Sequence, residues 1–246
     1  MNLLVCISKT PDTTSRISFR PNEKEYNTDG VSFIMNPYDE WYALVKALEI
    51  TEKNGGNVTV INVGPASNDI IIRKALAIGA TDAVRVNLEN PDAYTTSANI
   101  AAHAKNKSYD IIFTGKETID FNGSEVGAMV AEMLDLPFIS YASALEVNGN
   151  TSKITRDIEG GVEVCQVEGP YVLSASKGLA EQRIPNMKGI MMAKTKPLTV
   201  LDPISENARV TIEKFILPPG KSGVKLINPD DMDELVRLLH EEAKVI

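Results

Sequence analysis

The chain is poor in the residues that build metal centres and nucleophilic sites. It has two cysteines and two histidines among 246 residues, with Cys6 and Cys165 in separate apparent strands and His103 and His240 in separate predicted helices. Cysteines and histidines this few and this far apart do not support a zinc cluster, a disulfide framework or a Ser-His-Asp triad. We therefore expect two buried packing thiols, no bound metal and no catalytic residues. A redox pair of the two thiols would need a proximity that sequence does not show.

Long apolar runs and clustered positive charges are also missing. No stretch of about 18 uninterrupted apolar residues occurs, and the first residues lack the basic region and long apolar stretch of a secretory signal. The formal net charge is −8 at pH 7, and the sequence contains no cluster of Lys and Arg. Both features argue against a nucleic-acid partner. We expect a cytoplasmic protein that neither inserts into a membrane nor binds nucleic acid.

What the chain does contain is an alternation of apolar strands and amphipathic helices. Asn36-Pro37 marks a predicted helix start, because Asn caps helices well and Pro suits the first helical position. Asp39 and Glu40 then fall in the first turn, where solvated acids relieve the helix dipole. Strands are predicted over 3–7, 58–63, 83–86 and 111–114, with helices between them that include 92–107. The alternation predicts an α/β fold, a doubly wound, mostly parallel sheet.

Ligands of such sheets bind beyond the carboxyl ends of the strands, here at the loops 6–12, 63–67 and 115–124. The last of these loops is polar, and its Asn122-Gly123-Ser124 supplies a helix cap and a glycine that lets the backbone come close. Free amides at a helix start favour a phosphate. The same residues suit an ordinary structural loop, so this segment alone leaves both interpretations open. Neither a G-x-G-x-x-G nor a P-loop motif is present.

The second half of the chain has a different pattern. After Pro137 three strand-like segments are joined by Gly-bearing turns, which predicts a β-meander added to the sheet. In the first half of the chain, a weak hairpin is expected over 17–34. Residues 171–175 are apolar enough to return to the main sheet. The segment 183–192 has no period, and its methionines suit either core packing or docking into a partner pocket. A proline-bearing tail over 197–221 precedes a short amphipathic helix near 232–239.

We divide the chain into a nucleotide-binding α/β domain over 1–195, which includes the meander and the aperiodic loop, and a C-terminal arm over 196–246. An arm of this kind is poor at burying itself. It can lie on another protein or across its own domain, and the sequence leaves this choice open.

These pieces, in this order, resemble the beta subunit of electron transfer flavoprotein over essentially the whole chain. Several spaced matches are more specific than one. The matching segments are Thr28-Asp-Gly-Val31, Met35-Asn-Pro-Tyr-Asp-Glu40, Gly64-Pro-Ala66, Arg73-Lys-Ala-Leu-Ala-Ile-Gly-Ala80, Gly115-Lys-Glu-Thr-Ile-Asp120, Arg156-Asp-Ile-Glu-Gly-Gly161 and Ile190-Met-Met-Ala-Lys194.

The resemblance implies a fold like that of the adenine nucleotide α-hydrolases and a heterodimer, in which an alpha subunit holds the redox FAD and contacts the beta arm. In typical members beta binds a structural AMP, whereas in electron-bifurcating members a second FAD takes that site. The residues that the resemblance places around the nucleotide are Cys6, Asn36, Pro37, Tyr38, Asp39, Val63, Gly115, Lys116, Asp120, Asn122, Gly123, Ser124, Glu125 and Val126.

Two departures from the family pattern concern the nucleotide. Where the AMP-binding pattern commonly reads Gln-Thr, this chain has Glu125-Val126, which puts a carboxylate where a phosphate is expected. Valine at the second position is frequent in the bifurcating branch, but Ala128 replaces the proline that often follows there. The resemblance therefore favours AMP and keeps the second FAD as the alternative.

The resemblance also implies partners. Asp157 matches an acidic position that approaches the alpha subunit near its flavin, and Met187, with Ile190 and Met191, matches a recognition loop that docks on acyl-CoA and related dehydrogenases of fatty acid β-oxidation. The electrons would pass on to a quinone oxidoreductase and the respiratory chain. An alternative of another class is a free-standing nucleotide-binding module like a universal stress protein, which predicts a homodimer with ATP turnover.

Overall fold

The computed structural model describes residues 1–105, 107–220 and 223–246. Asn106 of the predicted helix over 92–107 and Lys221 of the predicted tail lie outside these ranges. The strands are β1 (Asn2–Cys6), β2 (Lys9–Pro11), β3 (Phe33–Met35), β4 (Asn57–Val63), β5 (Asp82–Val86), β6 (Ile111–Gly115), β7 (Phe138–Asn148), β8 (Thr151–Ile158), β9 (Gly161–Glu168), β10 (Tyr171–Ala175) and β11 (Leu198–Leu201). The helices are α1 (Asp39–Asn54), α2 (Asp69–Ile78), α3 (Ala93–Lys105), α4 (Val126–Leu134), α5 (Met187–Ala193) and α6 (Met232–Arg237), with a π-helical turn at Leu238–Glu242.

One nine-stranded sheet organises the molecule, in the order β11-β5-β4-β1-β6-β10-β7-β8-β9. All pairs from β11 to β7 are parallel, which confirms the doubly wound α/β prediction. β1 lies between β4 and β6, so the chain builds first to one side of β1 and then to the other. The helices that follow β1 and β6, α1 and α4, cover opposite faces of the sheet, and in such sheets ligands bind beyond the carboxyl edge at this point.

The central strands are buried on both faces. Leu3, Val5 and Phe113 pack on one side with α1 and α2, while Leu4 and Ile112 pack on the other side with α3 and α4. Strands covered on both faces need uninterrupted apolar runs, since no side chain can point to water. This explains why the sequence of these strands does not alternate.

The predicted meander extends the same sheet and is not a separate layer of strands. β8 and β9 continue it through antiparallel pairs that begin at β7, and Leu145 and Ile154 are buried in the core. The pairing of β7 shifts register around Tyr141, whose φ is 56°. A bulge with left-handed backbone bends its strand locally. β10 returns to the sheet as predicted, between β6 and β7.

Several local expectations were wrong. Helix α1 begins at Asp39 and not at Asn36-Pro37, because the Asn36 side chain bonds another loop and Tyr38, with φ of 65°, breaks the helical path. The segment expected to be aperiodic contains α5, whose start is capped by Asn186 accepting a bond from the Gly189 N–H at 2.8 Å.

The hairpin and thiol expectations also need correction. Only one bridge, Phe19 to Tyr26, appears within the predicted hairpin over 17–34, whose end forms β3 against β2. Cys6 is buried, but Cys165 is half-buried on β9. Four strands separate β1 from β9 in the sheet, so the two thiols do not pair.

The first part of the arm packs on its own domain. β11 forms the edge of the sheet beside β5, and the Phe215 ring stacks on that of Phe19 with centroids 4.6 Å apart. Beyond this point large apolar side chains are exposed, with Leu226 at 91%. In the described ranges no helix has the length and apolar character needed to cross a membrane.

Asp92 fastens the arm to the start of α3. One carboxylate oxygen accepts bonds from the Thr95 N–H and hydroxyl, and the other accepts the N–H groups of Arg209 and Val210 at 2.6 and 3.0 Å. Partial burial raises the pKa of Asp92, but these hydrogen bonds outweigh it and lower the pKa to about 2.

Replacing Asp92 by Ala should therefore loosen two elements at once. Loss of the cap and of the arm contacts should lower the free energy of unfolding by about 2 kcal/mol and speed protease cleavage within 205–215. Urea unfolding and limited proteolysis measure the two effects. Asp202→Ala, at an exposed site in the arm, is the control; equal cleavage rates in both variants would contradict the fastening role.

Candidate functional site

The candidate site lies where β1, β4 and β6 end. Cys6 and Val63 close their strands and are buried, so they form the floor of the crevice. Gly115 ends β6, and Lys116 follows it. Parallel strands bring their carboxyl ends to one edge, and the three loops predicted to bind a ligand begin there.

Asn36 ties two of these loops together. It is fully buried, and its Nδ2 donates to the Glu117 carbonyl at 3.0 Å while its Oδ1 accepts the Ile119 N–H at 3.1 Å. Its own N–H donates to the Ser8 carbonyl at 2.9 Å. The loop after β6 is therefore fixed to the loop after β1. Pro37 is buried beside it, whereas Tyr38 is exposed.

Glu40 is a buried acid directly under this edge. Its Oε2 accepts the Ser8 N–H and its Oε1 pairs with the Ser8 hydroxyl, both at 2.6 Å. Burial raises the pKa of Glu40 to about 8, with a further rise from Asp120 and Asp39, although the bonds from Ser8 oppose it. The side chain is thus mainly protonated at neutral pH and can donate its own proton to the Ser8 oxygen.

Asp39 lies beside Glu40 and next to Gly115. A Cβ added at Gly115 would lie 2.9 Å from the Glu40 Cγ and 3.2 Å from the Asp39 Cβ, so only glycine lets β6 end this close to α1. Burial raises the pKa of Asp39 to about 6, although Lys116 opposes the rise. The site therefore tolerates two adjacent acids by keeping one of them neutral.

Lys116 brings positive charge to the edge. Its Nζ forms an ion pair with the Glu117 carboxylate at 3.1 Å and lies 5.8 Å from the centroid of the Tyr141 ring. The hydrogen bond to Glu117 raises the pKa of Lys116, with smaller contributions from the neighbouring acids. The ammonium therefore stays charged and is shared between a carboxylate and an aromatic face.

The loop before α4 does not form the cap that its sequence predicts. The N-cap position is Glu125, and no side chain caps the helix. Asn122 and Ser124 instead have φ of 51° and 55°, while Asp120 accepts the N–H of Phe121 at 3.0 Å. The first amides of α4 therefore have no side-chain acceptor among the described residues.

The backbone around Ser124 also favours an anion. Ser124 is left-handed and Glu125 lies in the right-handed helical region, and such alternation turns successive N–H groups toward one concavity. Gly123 between Asn122 and Ser124 carries no side chain to obstruct it. The Glu125 carboxyl approaches Gly123 and is exposed to solvent. Val126, half-buried, begins α4, and Gly127 packs so closely that a Cβ would lie 2.7 Å from the Thr114 Oγ1.

A second candidate surface lies on α5. Met187 is 74% exposed, Met191 69% and Ile190 43%, so these side chains present an apolar patch that does not belong to the core. Asp157 lies apart on β8, exposed, and accepts a bond from the Ser143 hydroxyl at 3.0 Å. The structure thus brings the predicted nucleotide residues to one edge and the predicted docking methionines to one helix.

Sequence reasoning missed Ser8, Glu40 and Tyr141. Glu40 was expected to be a solvated acid, but it is 6% exposed. Its spacing of four residues from the buried Leu44 puts both on one helix face, which was the available signal. Tyr141 gave no signal, because a bulge depends on the pairing of neighbouring strands.

The raised pKa of Glu40 predicts a pH-dependent stability. Folded Glu40, with a pKa of about 8 against an ordinary 4.5, holds a proton that the unfolded chain releases. The contribution of Glu40 to the free energy of unfolding is fully present below about pH 4.5. It falls by up to about 1.4 kcal/mol per pH unit as the pH rises to about 8. Glu40→Gln keeps the bonds to Ser8 and should remove this slope.

Urea unfolding of the two proteins at about pH 5, 6.5 and 8 measures the difference. Glu49→Gln, on the exposed side of the same helix, is the matched control and should keep the wild-type slope. Parallel pH profiles for wild type and Glu40→Gln would show that Glu40 is ionised throughout.

Comparisons with known proteins place the chain in a family. The family of the electron transfer flavoprotein domain matches residues 25–206. Electron transfer flavoprotein subunit beta of Bacillus subtilis (strain 168) is 39% identical over 261 aligned positions that cover 100% of both chains. The subunit of the same name from Bradyrhizobium diazoefficiens is 32% identical, again over 100% of both. Caffeyl-CoA reductase-Etf complex subunit CarD of Acetobacterium woodii is 30% identical over 99% of this chain and 98% of that protein.

The family match spans most of the chain, and the relatives align with it from end to end. Their names agree on a subunit of a flavin-dependent electron carrier. The chain belongs to the electron transfer flavoprotein family, among its beta subunits.

Proposed function

We propose that the chain binds AMP as a structural ligand at the carboxyl edge and supports the FAD of an alpha subunit in a two-chain electron carrier. The observation that carries the proposal is the loop between β6 and α4. Asn36 holds its first half in place, and its second half leads into helix amides that no side chain caps. A phosphate would accept hydrogen bonds from those amides, and its attraction to the helix dipole would stabilise the complex by about 0.3 to 2 kcal/mol.

The electrostatics of the edge decide whether a phosphate is tolerated. At pH 7 Glu40, with a pKa of about 8, is mainly neutral, whereas Asp39, with a pKa of about 6, is mainly ionised, so only one of these two acids repels an anion. Glu125 is exposed, and its repulsion of a phosphate 4 Å away lies between about 1 kcal/mol in bulk water and about 4 kcal/mol near a protein surface. Lys116 supplies an opposite charge. Phosphate binding therefore requires that the Glu125 carboxylate turn toward solvent, so that the backbone amides and Lys116 outweigh its repulsion.

The chain has no redox group of its own in this proposal and serves as scaffold and docking subunit. The alpha subunit holds the redox FAD and covers the exposed end of the arm, where Leu226 and its apolar neighbours need a partner. Asp157 faces that subunit near its flavin. Acyl-CoA and related dehydrogenases dock at Met187, Ile190 and Met191. The carrier is cytoplasmic and passes its electrons to a quinone oxidoreductase of the respiratory chain. Fatty acid β-oxidation is the matching metabolic setting.

A second FAD in place of AMP is the other candidate. Val126 at the start of α4 suits it, and the Acetobacterium woodii relative is named as part of a reductase complex. A free-standing nucleotide-binding module is less consistent with the structure, because it would leave Ile216, Val224 and Leu226, all more than 75% exposed, without cover.

The nucleotide content of the complex with alpha tests this proposal. We expect mass spectrometry of the denatured complex to find one FAD and one AMP. Asn36→Ala frees the loop after β6, so it should weaken AMP retention about tenfold or more, because two buried hydrogen bonds are lost. Asn148→Ala, at the exposed end of β7, should retain AMP.

Two flavins and no AMP would establish the bifurcating alternative. A complex without any nucleotide in this chain would refute the binding proposal altogether. Equal AMP in Asn36→Ala and wild type would show that the loop position does not govern binding.

The exposed methionine at the start of α5 tests the docking role. Met187→Ala should raise the KM for the complex as acceptor of a reduced acyl-CoA dehydrogenase about tenfold, since an apolar anchor in a partner pocket is worth 1 to 2 kcal/mol or more. The kcat should change little. Val164→Ala removes an exposed apolar side chain from β9 and should leave KM unchanged; a similar KM rise in both variants would argue against a specific anchor.

A further inference from the structure

Two cationic side chains join α2 to α5, because each donates to backbone carbonyls at or just beyond the end of the other helix. The Arg73 Nη1 of α2 donates to the carbonyls of Ala193 and Lys196 at the end of α5, each at 2.8 Å. In return, the Lys196 Nζ donates to the carbonyls of Leu76 and Ala80 at the end of α2, at 3.0 and 2.6 Å. The last carbonyls of a helix lack internal partners and carry negative partial charge, so each cation satisfies the other helix.

The helices also touch without intervening side chains. A Cβ at Gly189 would collide with the carbonyl oxygen of Ala77, so the middle of α5 lies directly on the last turn of α2. Ala193 is 3% exposed and belongs to the core. Partial burial lowers the pKa of Lys196, and its Nζ donates to two carbonyl groups there.

These contacts hold a helix of seven residues that is too short to be stable alone. Its outward side carries Met187, Ile190 and Met191. A surface that is already fixed loses less conformational entropy when a partner binds, and this raises affinity without any new contact. The position of the methionines therefore depends on residues that the partner never touches.

We propose that Arg73 and Lys196 are positioning residues for the docking of dehydrogenases, which they control by fixing α5 on α2. This inference rests on the proposed docking function and adds to it the residues that preorganise the surface. Neither cation contacts the donor in this account; each acts through helix-end carbonyls.

The test uses the full chain in complex with alpha and a reduced acyl-CoA dehydrogenase as donor. Arg73→Ala should raise KM about tenfold, the equivalent of losing one charge-assisted hydrogen bond, with kcat and FAD content unchanged. Arg73→Lys keeps a cation that can reach one carbonyl and should give an intermediate KM. Hydrogen exchange of the amides in 187–193 should be at least about tenfold faster in Arg73→Ala, because local opening becomes easier.

Two further variants separate position from charge. Gly189→Ala changes no charge but forces α5 away from α2, so it should raise KM as Arg73→Ala does. Lys194→Ala removes a positive charge from an exposed site on the same segment and should leave both KM and exchange at wild-type values.

Unchanged exchange in 187–193 for Arg73→Ala would overturn the positioning role. Faster exchange with unchanged KM, while Met187→Ala still raises KM, would show that docking does not need a fixed helix and would also overturn the proposal. If Met187→Ala itself leaves KM unchanged, the docking function fails, and the positioning of a docking surface fails with it. If Arg73→Ala and Lys194→Ala raise KM equally, the effect comes from long-range charge and not from the position of α5, which would also overturn the proposal.

Discussion

The bonds of the buried Asn36 hold the carboxyl edge of this sheet together. Its side chain joins the loop after β6 while its backbone joins the loop after β1, and these two strands are neighbours whose connections run in opposite directions. Without such a link, each loop would be free to fold over its own helix. A buried amide with two satisfied groups resists this because freeing it would leave polar atoms without partners. Asn36 therefore sets the relative position of the two loops at the carboxyl edge.

That arrangement brings a second constraint, which is electrostatic. The helix that follows Asn36 starts so close to Gly115 that Asp39 and Glu40 enter the edge with it. Two buried carboxylates would repel each other and lose hydration. The structure relieves this by keeping a proton on Glu40 at neutral pH and by bonding it to Ser8. An edge with this many acids can then accept an anion at the uncapped start of α4, because the acid nearest the floor is mainly uncharged.

Sequence predicted what depends on local pattern. Apolar runs predicted the parallel strands, and the turn glycines predicted β7, β8 and β9, since period and turn chemistry are properties of neighbouring residues. The misses depend on tertiary contacts. Asn36 is a residue type that caps helices well, but its side chain bonds Glu117 and Ile119, which are 81 and 83 positions away along the chain. Asn122 and Ser124 adopt a left-handed backbone and do not cap α4. Glu40 was expected in solvent because helix-start acids usually are. Of the candidate site, the loops were predictable, and their hydrogen bonds and protonation were not.

Helix α1 connects the two surfaces of the subunit. It begins at the carboxyl edge of the sheet with Asp39. On the same helix the Trp41 Nε1 donates to the Arg183 carbonyl at 3.2 Å, and Glu52 pairs with the Arg183 guanidinium. Lys74 of α2 lies over the Trp41 ring, 4.3 Å from its centroid. The chain that leads into α5 is thus fastened to the helix that shapes the crevice, and α5 itself to α2. Because close-packed interiors resist deformation, a subunit built in this way holds the carboxyl edge and α5 in a fixed relation, and both proposed roles, a ligand edge and a docking helix, depend on it.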